Sequence, residues 1–242
     1  MSERYQRSYT SIGSQAQAQI DQGLRSYMLG VYNYMTLGLA VTAFASLGIA
    51  TWAQNDPAVF QALYASPLRW ILMFAPLAFI FLFAGRLHKM TTQGATVTFL
   101  AFSAVMGVSL SWIFMVFTNA SILEVFAVTS ASFAGLSLYG YTTKRNLSGL
   151  GTFLIMGLIG LILASIVNLF LGSGMMAFVI NVAGVLIFAG LTAYDTQKIK
   201  SMYHAGDSAH TQGAKQIHGA LTLYLDFINM FMFLLQLLGN RE

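Results

Sequence analysis

Two aspartates stand where an ionised side chain is costly. Asp226 lies in LTLYLDFINM (221–230), among leucines and phenylalanines. Asp195 closes another apolar run, AGLTAYDTQ (189–197). An Asp at the centre of a membrane helix costs about 2.5–3.5 kcal/mol on insertion scales. Such residues mark ion or substrate paths more often than they serve lipid-facing surfaces. The plain alternative is that each acid bonds a Tyr, Ser or backbone group and fixes packing. Two acids on successive segments favour the path. Carboxylates brought within a few ångströms cannot both ionise easily and titrate as a coupled pair. The residues therefore predict a pH-responsive site.

Helical geometry aims the acids. At 3.6 residues per turn, Gly219, Thr222, Asp226, Asn229 and Gln236 fall within about 100° of arc, with Tyr224 opposite. Asn181, Gly184, Thr192 and Asp195 form a similar stripe on the preceding segment. Two polar stripes in lipid should face each other or a wet cavity. Eleven Leu, Ile and Phe between 219 and 238 favour insertion by roughly 5 kcal/mol in sum, and the polar residues consume most of it. This helix is marginal alone in lipid, so it is expected at the centre of the bundle. Counting from the outer ends puts Asp226 roughly 10 Å deeper than Asp195, a gap that tilt or a wet vestibule must close.

The elements that position these residues are membrane spans. Of 242 residues, 57% are hydrophobic and 8% charged, with a mean hydropathy of +0.67. A water-facing globule needs roughly 25% charged residues. Seven stretches approach the roughly 20 apolar residues a span requires: 28–52, 67–85, 94–117, 122–141, 150–171, 175–195 and 216–238. The breaks, such as QNDPAVFQALYASP and TTKRNLSG, are short. The expected fold is an all-α membrane protein, a seven-transmembrane-helix bundle with the last helix central. Residues 1–26 read as a flexible cytoplasmic N-terminal tail and 27–240 as one seven-helix domain. Small residues at Ala131/Gly135 and Gly160/Ala164 have the spacing of close helix packing.

Charge sets the orientation. Arg4, Arg7, Arg25, Arg86, Lys89, Lys144, Arg145, Lys198, Lys200 and Lys215 fall in alternate breaks. By the positive-inside rule the N-terminus is cytoplasmic and, after seven spans, the C-terminus outside. The net charge of +4 thus follows topology and does not point to nucleic acid. Arg86 is at the membrane level of Asp195 and would compete with a proton there; its plain reading is a topology anchor. The absence of cysteine excludes disulfides and thiolate-bound zinc.

Other chemistries fit less well. Paired intramembrane acids also suit an aspartyl protease, but the Gly-rich approach and PAL-type segment of those enzymes are missing. Lys215 is too near the start of its span for a retinal linkage. His204, His210 and His218 lack i,i+3 or i,i+4 spacing and read as solvated loop residues, and His88 as an interface residue. Arg69 and Glu124 read as interface anchors that could pair, and Tyr139 and Tyr141 as an aromatic belt. No enzyme activity and no cofactor are expected.

Three segments, EVFAVTSASFAGLSLYGYTTKRNLS (124–148), AGLTAYDTQKIK (189–200) and ALTLYLDFINMFMFLLQLLG (220–239), resemble the Bax inhibitor family of transmembrane Bax inhibitor motif proteins, in its compact bacterial form. The likeness covers nearly all of 25–240. It implies seven helices with the last enclosed by six, a pH-sensitive calcium leak, and location in the bacterial inner membrane. It also implies that Asp195 and Asp226 are the pH-sensing pair, and that Arg86 is a latch on Asp195. One departure is MFAPLAFIF in span two, apolar where at least one bacterial relative has a carboxylate. The basic cytosolic tail of eukaryotic members is also absent. The expected function is a calcium (cation) leak in the lipid bilayer through Asp195 and Asp226, with Asn229, Thr192 and Asn181 supporting. Calcium prefers six to eight oxygens, so the two acids with Asn229, Thr192 and waters would make only a weak, transient site, which suits a leak because the ion must also leave. The alternative is an interaction protein that regulates other membrane proteins, its acids structural.

Overall fold

The computed structural model describes residues 2–83 and 90–241, with side chains described over 20–81 and 90–241. Among the described residues there are eight α-helices: α1 (Ser2–Asn55), α2 (Pro57–Phe60), α3 (Leu68–Phe83), α4 (Thr92–Leu110), α5 (Asn119–Thr142), α6 (Ser148–Leu171), α7 (Gly174–Ser201) and α8 (Ala209–Leu238). A π-turn (Gln61–Ala65) follows α2 and a 3-10 turn (Ser111–Met115) extends α4. Among the described residues there is no strand, only an isolated bridge between Phe117 and Arg241. Six helices among the described residues are long and apolar enough to cross a membrane.

A bent pair could supply a seventh span. Among the described residues Pro57–Ala65 and Leu68–Phe81 meet at 61° and are together long and apolar enough to cross. The sequence explains both corners. Asp56 is extended ahead of Pro57 and caps α2, accepting from Ala58 N at 2.9 Å. Ser66, ahead of Pro67, is extended at φ −93° and ψ 172°, so the π-turn cannot run on into α3. The stretch QNDPAVFQALYASP is therefore partly helical rather than a plain break, and α3, described over 16 residues, has Pro76 inside it. Helix α1 likewise takes in residues 2–26, read from composition as a tail; that segment contains no proline to interrupt it.

The remaining connections are closed by local chemistry. Gly172, at φ +62°, ends α6, and Ser173 caps α7 through Met176 N; the left-handed turn suits glycine. Gln197 of α7 accepts from Leu147 N and donates to the Arg145 carbonyl, both at 2.8 Å, which ties down the α5–α6 connection. Lys215 Nζ donates to the Met202 carbonyl at 2.8 Å and to Asp207 at 2.7 Å, closing the α7–α8 turn. At the other end Asn240 N donates to Ser121 Oγ at 2.9 Å, and Thr118 N donates to the Asn240 carbonyl at 3.1 Å.

Helix α8 packs on α7, α1, α5 and α4, whereas α6 packs on α7. In α8, 44% of the apolar window is buried, against 11% in α6. Tyr224 of α8 is fully buried on the face opposite Asp226. Its ring meets Phe99 and Phe102 of α4 edge-on at 5.7 and 5.8 Å, and its hydroxyl bonds Thr42 Oγ1 of α1 at 2.6 Å. Phe227 meets Phe126 and Phe133 of α5, both at 5.5 Å.

Close helix approach occurs at different glycines from those the spacing suggested. A Cβ added at Gly135 or Gly160 would meet nothing within 4 Å, so those small faces do not pack on another helix. At Gly140 the added Cβ would lie 2.9 Å from the Ala193 carbonyl carbon, and nearer still to its oxygen. At Gly107 it would run into the Thr42 backbone. A four-residue interval identifies a small face but not which way that face turns.

Candidate functional site

Asp195 and Asp226 come together. Their carboxyl groups lie within hydrogen-bonding reach of each other, and the residues are only 9% and 5% exposed. Asp226 Oδ2 is buried with no hydrogen-bond partner among the described residues. No described basic side chain forms an ion pair with either acid. The charge of Lys198, three residues on, reaches Asp195, while its ammonium stands over the Tyr194 ring at 5.8 Å.

Helix register produces this meeting. Gly219 faces Ile199, where an added Cβ would sit 2.9 Å from Ile199 Cγ2. Asp195 is four residues from Ile199 and Asp226 seven from Gly219, one and two turns along the same faces. The depth gap read from sequence closes because α7 and α8 are staggered. Asp195 does not end its helix: α7 continues to Ser201. From the pair to the far ends, α7 runs 21 residues to Gly174 and α8 runs 12 to Leu238. The difference is about 14 Å of helix.

The supporting residues divide. Thr192 is buried and donates to the Phe188 carbonyl at 2.8 Å. Asn229 is half-buried and donates to Leu225 O at 2.8 Å. Both keep acceptor lone pairs, one turn from their acids on the same faces. Asn181 is buried on α7, fourteen residues from Asp195 and so about 21 Å along the axis; it is not part of the pair. Gln236 is exposed, so the α8 stripe turns outward at its end. Arg86, His88 and Lys89 lie outside the described residues. Arg69 stands over the Trp70 ring at 5.3 Å and forms no ion pair with Glu124; the ion pair among the described residues is Lys215–Asp207. No group of three or more His, Asp or Glu side chains among the described residues could hold a metal ion.

Sequence reasoning missed the hydroxyl bridges around the pair. Tyr32 Oη of α1 bonds Ser137 Oγ of α5 at 2.6 Å, Ser137 bonds Thr196 Oγ1 of α7 at 2.9 Å, and Thr196 donates to Thr192 O at 2.7 Å. This chain joins three helices beside Asp195. Thr42, besides bonding Tyr224, donates to the Ser103 carbonyl at 2.9 Å. Lone hydroxyls in three separate apolar segments have no mutual spacing to read. The only signal was Tyr224, whose polar tip lay opposite the stripe on a helix already expected to be buried.

The chain matches the family model described as "Inhibitor of apoptosis-promoting Bax1" over residues 24–242. It is 46% identical over 223 residues to the "Inner membrane protein YbhL" of Escherichia coli (strain K12), covering 91% of this chain and 94% of that protein. It is 43% identical over 222 residues to the "Uncharacterized protein RP147" of Rickettsia prowazekii, covering 92% of each. An "Uncharacterized membrane protein" of Streptococcus pyogenes serotype M1 is 34% identical over 232 residues, covering 93% of this chain and 96% of that one. With its helical bundle, apolar spans and paired aspartates, the chain belongs to the Bax inhibitor family of membrane proteins.

Proposed function

We propose that this protein is a pH-sensitive cation leak of the bacterial inner membrane, with calcium as a permeant ion and the Asp195–Asp226 pair as its gate. One observation carries the reading: two buried carboxyl groups on successive helices face each other without a described cation between them. Burying such a pair is costly, and a packing role would be filled more cheaply by apolar residues of similar size. As a coupled unit the pair exchanges protons in two steps, and each step changes what the path offers a passing cation. Thr192 and Asn229 add neutral oxygens one turn away. Two carboxylates with neutral oxygens make a weak site, as permeation requires. The proposed architecture counts the bent Pro57–Phe81 segment as one of seven spans, encloses α8 by the others, and puts the N-terminus in the cytoplasm and the C-terminus outside. Arg86 is the proposed latch on Asp195. The reading requires neither a cofactor nor an enzymatic step.

Purified protein in liposomes with an interior calcium dye tests this. Wild type should leak calcium at a rate that changes between mildly acidic and mildly alkaline buffer. The Asp195→Asn, Asp226→Asn double variant should lose that pH dependence while eluting as a folded protein. Equal fluxes in both proteins at every pH would refute the channel reading and favour an interaction protein with structural acids.

A further inference from the structure

We propose that the cavity between α1 and α5 is a binding groove for one membrane phospholipid with an anionic headgroup. The groove has a volume of 930 Å³, near the top of the roughly 300–1,000 Å³ range of small-molecule sites. α1 and α5 form its walls, and Phe227 of α8 lies between them.

Four features select the occupant. The first is exposure: Leu29 and Leu138 on the two walls are 52% and 63% exposed, and both helices are apolar spans, so the groove faces the bilayer. The second is the use already made of three of its five hydroxyls. Tyr32 and Ser137 bond each other, and Ser130 donates to its own helix at Phe126 O, 2.8 Å away. Water needs two to four polar partners to settle in a cavity; this lining offers few, and hydrocarbon needs none.

The third feature is length. On α1 the lining runs from Arg25 to Ala43, and on α5 from Tyr141 to Phe126. These spans are about 27 and 22 Å at 1.5 Å per residue, longer than one leaflet's half of a roughly 30 Å hydrocarbon core. An acyl chain fits such a slot end to end.

The fourth is charge at one end only. Arg25 is the single ionisable lining residue besides the tyrosines; it is exposed and has no carboxylate partner among the described residues. At the same mouth the Lys200 ammonium stands over the Tyr141 ring at 4.9 Å. A guanidinium at the headgroup level above an apolar slot matches a phosphate carrying acyl chains. Phe227, next to Asp226, lines the groove, and the Tyr32–Ser137–Thr196 bridges link it to α7 next to Asp195, so an occupant would touch α8 directly and reach α7 only through those bridges.

The test is native mass spectrometry of the full chain in detergent, with equimolar phosphatidylglycerol and phosphatidylethanolamine of matched chains. Wild type should retain one lipid, with phosphatidylglycerol favoured about fivefold, the preference expected of one basic residue at an anionic surface. Arg25→Gln should keep the adduct and bring that preference close to one. Ala134→Trp, which fills the groove from α5, should lose the adduct; Ala43→Trp does the same from α1 if the first variant does not fold. Three outcomes would overturn the proposal: a headgroup preference unchanged in Arg25→Gln, adducts undiminished in a folded tryptophan variant, or a lipid-independent dimer in place of the adduct.

Discussion

Replacing Gly140 with alanine tests how the aspartate pair is held. The added methyl would lie 2.9 Å from the Ala193 carbonyl carbon and 3.0 Å from its Cα, both backbone atoms that cannot swing aside. Ordinary van der Waals contact begins near 3.4 Å, and the carbonyl oxygen is nearer than either carbon. Helices α5 and α7 must therefore part by about 1 Å, since overpacked sites relieve strain by backbone shift. The Ser137–Thr196 bond, one turn away at 2.9 Å, would then stretch beyond the range of a useful hydrogen bond. Overpacking costs about 1–3 kcal/mol and a lost interhelical bond in a membrane protein about 0.6 kcal/mol. The expected loss is about 2–4 kcal/mol. Tryptophan fluorescence during graded SDS unfolding of the purified protein measures it. Gly135→Ala is the control, because a Cβ there meets nothing within 4 Å; better helix propensity should leave it neutral or slightly stabilised. A Gly140→Ala protein as stable as wild type, or an equal loss in Gly135→Ala, would refute the packing argument. Ala193 lies two residues from Asp195, so under the proposed function the same variant should also alter the pH dependence of calcium flux.

Other outcomes follow from the same contacts. Thr42→Val should destabilise by about 1–3 kcal/mol by stranding the buried Tyr224 hydroxyl, and Tyr224→Phe in the same protein should restore much of it; additive losses in the double-mutant cycle would argue against the bridge. Lys215→Met should cost about 1–2 kcal/mol in low salt by unpairing Asp207 and the Met202 carbonyl, with the gap narrowing as salt is added; a salt-independent loss in chemical unfolding would contradict this. Gln197→Ala should free the α5–α6 connection, raising amide exchange at Leu147, at a cost of about 1–2 kcal/mol; unchanged exchange would show the connection is held elsewhere.

Much of the molecule was legible before any coordinates. Six of the seven expected spans match helices long enough to cross, because apolar runs of that length have few other uses. Span two, read over 67–85, differs: its last residues lie outside those described, and the stretch before it, read as a break, is helical over Pro57–Ala65. The family was readable from AGLTAYDTQKIK and ALTLYLDFINMFMFLLQLLG, where an acid in apolar surroundings is rare enough to be specific.

The site was half legible. Which residues would be costly in lipid follows from residue type and neighbours, so Asp195 and Asp226 stand out in one dimension. Helical periodicity also gave each acid a face, since 100° per residue is fixed by backbone geometry. That the two faces meet depends on the stagger of α7 against α8, a relation between segments that no single segment encodes. The glycine contacts show the same division. Spacing in the sequence singled out Gly135 and Gly160, whereas packing presses Gly140 against α7. The hydroxyl bridges from Tyr32 to Thr196 and from Thr42 to Tyr224 join residues more than a hundred positions apart, through distances set by the folded bundle alone. Local chemistry determined which elements form and what each must hide. Tertiary structure decided the partners, because burying several helices against one another fixes rotations and offsets that only the whole bundle can satisfy.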